Sequence, residues 1–478
     1  MPTTNTNRKI LDLKRWEFCT PAPTATGGGR CIASSVHQRQ QQLYLTGTTT
    51  ALLYNPSEDG WVELPSPVLA GTVSEGCCAV GGGFSTGATA GVASLTATAG
   101  STTTITTNQT LARDLRGYSV QFVGGTNAGK TKVIASNTIG ANAVITFTDA
   151  EAVAFDNTSA YRLVTPTWYV LGAGTLASGS FKRYDFATNT WVTLVNTGLP
   201  GSWGTDGRLV ATPSWSGSGY KSFATGTATA GASTTLTNSA KAWATNQWAQ
   251  SQVRITAGTG AGQIRTVASN TGTVLTVSAA WTTTPDNTSQ YSLEGNDDFI
   301  YLLGNNAVAM YRYSISANTW STLAPSVARG GAAGAGLGGQ WVHSVTDSAW
   351  TNENAIQNGR YIYSFRAAVG ALLDRYDIAA NAWSAVSYAP ASTTFTTGTK
   401  YVYIKDYLYI HKDATGRWFR FDIASSSMDG WNTMLYPHST AATGDTAFDV
   451  SFVDGETEIN YVYILLNSLT IMLRQMVI

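Results

Sequence analysis

Tyr184-Asp185-Phe186-Ala187-Thr188-Asn189-Thr190-Trp191 is the phrase around which the rest of the chain falls into place. It returns as Tyr313-Ser314 ahead of Asn318-Thr319-Trp320, and as Tyr376-Asp377 ahead of Asn381-Ala382-Trp383. Tyr54-Asn55 stands at the same distance before Trp61, and Phe421-Asp422 precedes Trp431 across a longer turn. A further tryptophan, Trp16, opens a similar stretch near the N-terminus. Three residues after each Trp comes an apolar or small residue: Leu64, Leu194, Leu323, Val386, Met434 and Cys19. An aromatic-Asp pair closes one strand, Asx-type turn residues come next, and Trp opens the following strand. A phrase that recurs in this way is one supersecondary unit used repeatedly.

Working outward, a second aromatic strand precedes most copies, at residues 43–45, 168–171, 300–303, 361–363, 407–410 and 461–465. Gly-rich stretches at 81–83 and 330–339 come before several of these. Four short strands per unit make a propeller blade, repeated radially so that few sheet edges are exposed. The pattern resembles a kelch-type β-propeller, whose blades carry Gly-Gly, Tyr-Asp and Trp, and the resemblance covers the whole chain apart from two insertions. It departs from that family in its glycines: Gly172 and Gly174 are separated, and Tyr363-Ser364 has no glycine pair.

The two ends complement each other. Trp16-Glu17-Phe18-Cys19-Thr20-Pro21 reads as an outer strand like that at residues 61–65, with nothing before it to complete a blade. Residues 448–453, 461–465 and 471–477 read as three strands with no fourth. Pairing them closes a ring and removes two unpaired edges, which are otherwise aggregation sites. The expected fold is all-β: a six-bladed kelch-like propeller formed by residues 1–91, 165–225 and 294–478, with homologous small β-domains inserted at 92–164 and 226–293.

The insertions read as copies of each other. Residues 126–138 align with 259–271 and 144–147 with 274–277, while Asp156-Asn157-Thr158-Ser159 recurs unchanged as Asp286-Asn287-Thr288-Ser289. Each alternates β-formers with Gly/Asn turns and has no helical period. Each enters after the first strand of its blade (residues 77–80 and 209–212), so the copies are expected side by side on one rim. Two readings of that placement stand: a working face for binding, or two bodies that pack only on each other.

The first copy contains Gly124-Gly125-Thr126-Asn127-Ala128-Gly129-Lys130-Thr131, which satisfies the phosphate-loop pattern G-x-x-x-x-G-K-[ST]. That chemistry needs a helix after the loop, because the free N–H groups at its N-terminus hold the phosphates. The loop runs instead into Val133-Ile134-Ala135-Ser136-Asn137, a strand pattern, and the sister copy has Gln263 in place of Lys130. The motif is read as a decoy, with no nucleotide cofactor.

Lys plus Arg and Asp plus Glu number 29 each, and charged residues are 12% of 478, about half the usual share for soluble proteins. Such a balance leaves no electrostatic footprint for nucleic acid. No apolar run suits a signal peptide or a membrane span. Cys19, Cys31, Cys77 and Cys78 have no metal spacing and read as small buried hydrophobes in a protein made in a reducing cytoplasm. His37, His343, His411 and His438 are scattered over different blades. The copper oxidases among kelch-like propellers need converging His and Tyr ligands, so no metal is expected. Sialidase propellers resemble the ring too, but their turn box is only shadowed by Ser57-Glu58-Asp59-Gly60-Trp61, and their arginine cluster is not recognisable. A carboxylate pair for glycoside hydrolysis cannot be picked from sequence. The repeat tryptophans Trp16, Trp61, Trp191, Trp320, Trp383 and Trp431 are read as core between blades.

The Gly-x-Gly-Ala-Gly-Gln and Ala-Ser-Asn-Thr phrases of the inserts are similar to modules of phage tail and virion proteins, over about a third of the chain. The resemblance implies a non-enzymatic structural protein of a bacteriophage virion, in the tail, neck, nozzle or fibre attachment. It would be made in the host cytoplasm and would contact other virion proteins in a symmetric assembly. The alternative is a receptor-binding adhesin for host surface glycan. A third reading is a glycan-processing propeller enzyme.

Overall fold

The computed structural model describes residues 16–23, 30–34, 42–46, 50–67, 69, 73–80, 94–172, 181–199, 208–212, 215–216, 219–220, 222–303, 310–327, 329, 340–342, 359–365, 372–387, 400–404, 406–412, 417–433, 446–454, 457–465 and 471–477. The glycine stretches 81–83 and 330–339, Gly174, Met434, His37, His343 and His438 lie outside them. All regular structure among the described residues is β.

Among the described residues, six antiparallel sheets have four strands each. Sheet 1 comprises Arg30–Ser34, Gln42–Thr46, Thr50–Asn55 and Gly60–Glu63, and sheet 2 Val73–Val80, Thr167–Gly172, Phe181–Asp185 and Thr190–Thr193. Sheet 3 comprises Arg208–Ala211, Phe299–Leu303, Met310–Ser314 and Thr319–Leu323, and sheet 4 Gln340–Val342, Tyr361–Phe365, Leu372–Asp377 and Ala382–Ser387. Sheet 5 comprises Lys400–Ile404, Tyr407–Lys412, Arg417–Asp422 and Ser427–Thr433. Sheet 6 takes Thr446–Asp454, Thr457–Leu465 and Met472–Val477 from the end of the chain and Glu17–Phe18 from its beginning. Glu17 lies opposite Arg474 and Phe18 opposite Leu473. The Arg474 Nε donates to Glu17 at 2.9 Å, and the Cys19 amide continues the ladder to the Met472 carbonyl. The first strands of successive sheets lie side by side, from sheet 1 through sheet 6, and that of sheet 6 lies against that of sheet 1.

Two seven-stranded sheets leave this series between the first and second strands of sheets 2 and 3. The first insert contains Leu95–Thr96, Ala99–Gly100, Thr104–Thr106, Ser119–Gly124, Thr131–Asn137, Val144–Phe147 and Ala160–Val164. The second contains Ser222–Thr227, Ala230–Ala232, Thr235–Thr237, Gln252–Ala257, Ile264–Asn270, Val274–Val277 and Gln290–Glu294. Both have the spatial order first, seventh, fourth, fifth, sixth, third, second. The second begins at Ser222, ahead of the expected residue 226, because Ser222 and Ala224 already pair with Glu294 and Leu293. Val80 pairs with Trp168 and Ala211 with Ile300, so each insert leaves and rejoins its sheet at neighbouring positions.

Neither insert floats free. The core of the first is continuous with that of sheets 2 and 3, joining Ile105, Phe122 and Tyr161 to Trp168, Leu171 and Ile300. Tyr118 packs its ring 5.4 Å from that of Phe186. The core of the second runs from Trp248 and Leu293 into Tyr301, Tyr376 and Trp383.

Candidate interaction surface

The recurring phrase folds into one device. Tyr and Trp face each other across adjacent strands, as Tyr54–Trp61, Tyr184–Trp191, Tyr313–Trp320 and Tyr376–Trp383. Their ring centroids are 4.9, 5.1, 5.2 and 5.2 Å apart, close enough for the pairing energy that tilted aromatic rings gain beyond burial. The fifth residue after each Tyr has positive φ: Asp59 (47°), Asn189 (54°), Asn318 (51°) and Asn381 (48°). Asn and Asp tolerate this left-handed region best among residues with a Cβ. Each Tyr hydroxyl donates to that side chain, at 2.6, 2.6, 2.6 and 2.7 Å respectively. Burial, with the Asp59 bond adding to it, pushes the Tyr54 phenol far above its usual value.

The residue after Tyr caps the turn. Asn55 accepts from the Ser57 amide, Asp185 from Thr188, and Asp377 from Ala379 and Ala380. Sheet 3 has Ser314 here, and Asp298, in the turn just before the neighbouring strand, supplies the missing carboxylate. It accepts from the Ser316 amide and the Ser314 hydroxyl, both at 2.7 Å. Burial raises the Asp298 pKa, opposed by those bonds.

The same turns join successive sheets. Trp61 Nε1 donates to the Thr20 carbonyl and Trp191 Nε1 to the Pro65 carbonyl. The Val195 amide donates to Asn318, and Asn381 donates to the Ala324 carbonyl. Asp59 accepts from the Thr20 amide with both oxygens. Cys19, one residue earlier, is a free buried thiol that burial pushes up to about 12.

Two of the six tryptophans depart from the slot. In sheet 5, Phe421 faces Met428, not Trp431, because the last strand begins already at Ser427. Trp431 packs on Tyr409 at 4.7 Å, and Ser426 (φ 52°) holds the turn with no phenol to receive. Trp16 precedes its short strand and packs its ring, tilted, 5.3 Å from that of Trp418 of sheet 5.

The phosphate-loop pattern lies in a hairpin. Strand Ser119–Gly124 pairs with Thr131–Asn137, so the loop leads into a strand and not a helix. Gly125 (φ 67°) lies under the Thr158 carbonyl, where a Cβ would come within 1.8 Å of the oxygen, and Gly258 repeats this at 2.0 Å from Thr288. Lys130, read from sequence as a solvated turn charge, is half exposed and paired with Glu151 at 3.6 Å. Gln263 at the matching position holds its own turn. It accepts from the Thr282 and Thr283 amides and donates to the Gly260 and Thr283 carbonyls.

Residues shared by the inserts make matching bonds. Asp156 and Asp286 each accept from the amide (2.8 Å) and hydroxyl (2.6 Å) of the Thr two residues on, and from Thr126 or Thr259 at 2.8 Å. Those bonds hold both carboxyls below the ordinary aspartate value. Asn137 accepts from the Leu115 amide and Asn270 from the Trp248 amide. One position differs instructively. Lys132 is buried between Asp149 and Glu151, whereas Arg265 lies 5.6 Å over the Trp281 ring.

Arg113 fastens the first insert to sheet 2. It donates to Tyr184 Oη and Asn189 at 2.5 and 2.6 Å and lies over Phe186 at 4.6 Å. Sequence reasoning missed this residue, since nothing in its neighbourhood repeats. Arg312 does the equivalent for the second insert, donating to Gln250 at 2.8 Å.

Several buried carboxylates are committed to partners. Arg254 clamps Glu294, Arg162 reaches Asp297, and Arg329 binds Asp374. His411 is buried with its ring 5.2 Å from Trp418. Among the described residues, no three His, Cys, Asp or Glu side chains group to hold a metal ion.

No protein-family model matches the chain, and no curated protein matches it. Among solved structures it is similar to the endosialidase of phage phi92, with 8% identity and a TM-score of 0.29, over 95% of this chain and 64% of that one. The chain thus spans less than two-thirds of that protein's length. It is also similar to a structural-genomics protein of unknown function from Bacteroides thetaiotaomicron VPI-5482, with 10% identity and a TM-score of 0.22, over 76% of each chain.

Proposed function

We propose that the six four-stranded sheets are the blades of a kelch-like propeller carrying a duplicated β-module. We further propose that the protein acts without catalysis, as a structural component of a bacteriophage virion that contacts other virion proteins in a symmetric assembly. The observation that carries this reading is where the repeated polar groups go. Tyr, Asx and Asp of the phrase bond to their own turns and to the next sheet, and the residues shared by the inserts bond to their own hairpins. A repeat whose chemistry is spent on holding its own shape serves as a scaffold, and insertions on such a scaffold supply its contacts. Low charge at zero net charge favours neutral protein contacts over a steered polyanion.

The test is deletion of the gene in a phage that carries it, together with glycan-array binding by the purified full chain. Failure of particle assembly with no glycan binding is expected. Particles that assemble normally but fail to adsorb, with glycan bound by the chain, would replace this reading with the adhesin. Release of sugar from a bound glycan would replace it with the enzyme.

A further inference from the structure

The two inserts meet turn against turn, and the contact is reciprocal. A Cβ on Gly129 would come 2.8 Å from the Thr256 carbonyl oxygen and 3.1 Å from the Ala261 Cβ. A Cβ on Gly262 would come 2.9 Å from the Ala128 Cβ, 2.9 Å from the Val123 carbonyl carbon and 3.0 Å from the Gly129 nitrogen. Val123 matches Thr256, Ala128 matches Ala261 and Gly129 matches Gly262 in the two modules. Position i of one module therefore touches position j of the other, and j touches i. That reciprocity defines an isologous interface, in which one patch is its own complement.

We propose that this turn edge is a self-recognition surface whose partner is a second copy of the module, and that the two inserts occupy it mutually as an intramolecular pseudo-dimer. The glycines are required twice over. Both have left-handed φ (85° and 87°), and both lie where any side chain would strike the opposite module. Replacing either one would also strain its own turn.

Beneath the turns the symmetry breaks. Arg162 of the first insert, 7% exposed, reaches Asp297, 2% exposed, at 3.3 Å, in the segment that returns the second insert to sheet 3. The position matching Arg162 is Ser292, and the one matching its neighbour Gln121 is Arg254, which turns to Glu294 within its own module. The shared edge thus supplies the pairing, and the unshared arginines distinguish the two places in it.

The test uses the full chain, with hydrogen exchange read by peptide. Ala128 and Ala261 are not among the left-handed residues, so substitution there spares the turn. Ala128→Glu is expected to speed exchange about tenfold at residues 258–263, which carry no substitution, as well as at 125–130, while the six sheets keep their protection. Adding Ala261→Lys is expected to return both segments to within about threefold of the parent, because opposite charges then meet across the contact. Acceleration confined to 125–130 would overturn the proposal. If Ala128→Glu loses protection throughout, Ala128→Cys/Ala261→Cys with a short bis-maleimide decides. Linked peptides are expected, and their absence in folded protein would overturn the proposal.

Discussion

The Tyr54 hydroxyl donates to Asp59 at 2.6 Å across a turn, and the same carboxylate accepts the Thr20 amide at 2.9 and 3.0 Å. One side chain therefore fixes a hairpin in sheet 1 and pins the segment that completes sheet 6. The corresponding positions in three other sheets are asparagine. A carboxylate, with two acceptor oxygens and a charge, suits the place where the bond must also hold the end of a short strand.

Asp59→Gly keeps the left-handed turn free of strain and removes only the bonds. It is expected to cost about 2 kcal/mol, since charged hydrogen bonds are lost and a buried phenol is left unpaired. Denaturant unfolding measures the cost, and faster exchange of the Cys19 amide localises it. Asn381→Gly, which loses only neutral bonds to Tyr376 and Ala324, is expected to cost about half as much.

Sheet 5 lacks the device, and two substitutions should install it. Phe421→Tyr alone buries a hydroxyl near Ser426 and is expected to destabilise by about 1 kcal/mol. Ser426→Asn added to it supplies the acceptor at a position already in left-handed conformation. The pair is expected to be at least as stable as the parent, with a coupling of about 1–2 kcal/mol in a double-mutant cycle. Additive effects would show that the Tyr–Asx bond does not transfer between sheets.

The repeating phrase makes the strands of sheets 1 to 4 legible, because cross-strand register is set where Tyr meets Trp, seven residues apart. In sheet 5 the seven-residue spacing from Phe421 reaches Met428, which holds the slot, and it is reading Trp431 as the partner across a longer turn that misassigns the strand. The copy at Tyr313-Ser314 reads as a clear one although a hydroxyl stands in place of the aspartate. Its missing carboxylate comes from Asp298, sixteen residues earlier in the chain and outside any short motif. Arg113 and the Gly129–Gly262 contact are equally hidden, since both depend on which surfaces the fold brings together. Identity between the inserts marks turn residues such as Asp156 and Asp286, whose bonds are local.

Lys130→Ala is expected to leave nucleotide binding undetectable, as in the parent, and to cost less than about 1 kcal/mol, because the ion pair with Glu151 is half exposed. Gln263→Ala, which disturbs no known motif, is expected to cost more, about 1–3 kcal/mol, because four turn bonds depend on it. Isothermal titration with Mg-ATP and thermal unfolding of the two variants check both statements. Nucleotide binding abolished by Lys130→Ala would reverse the reading of the hairpin.

The inserts carry an acid-sensitive element. Asp156 and Asp286 have folded pKa values below those of the unfolded chain, from the Thr158 and Thr288 bonds first. Their stabilisation is present above the unfolded value near pH 4 and is lost as pH falls through the folded value. Asp149, lowered by Lys132, acts in the same direction in the first insert only. Asp286→Asn is therefore expected to weaken the second insert at pH 7 and to flatten its loss of exchange protection as pH falls below about 4. An unchanged acid slope would show that the turn is held by something else.

The proposed closure of the ring is tested most directly by one cross-link. Glu17 and Arg474 are paired residues of neighbouring strands from opposite ends of the chain. Glu17→Cys/Arg474→Cys, treated with a short bis-maleimide and mapped by mass spectrometry, is expected to join the first and last peptides within a single chain. Folded protein in which these cysteines react separately, or link only between chains, would contradict the closure of sheet 6 by the N-terminal strand and with it the six-sheet ring.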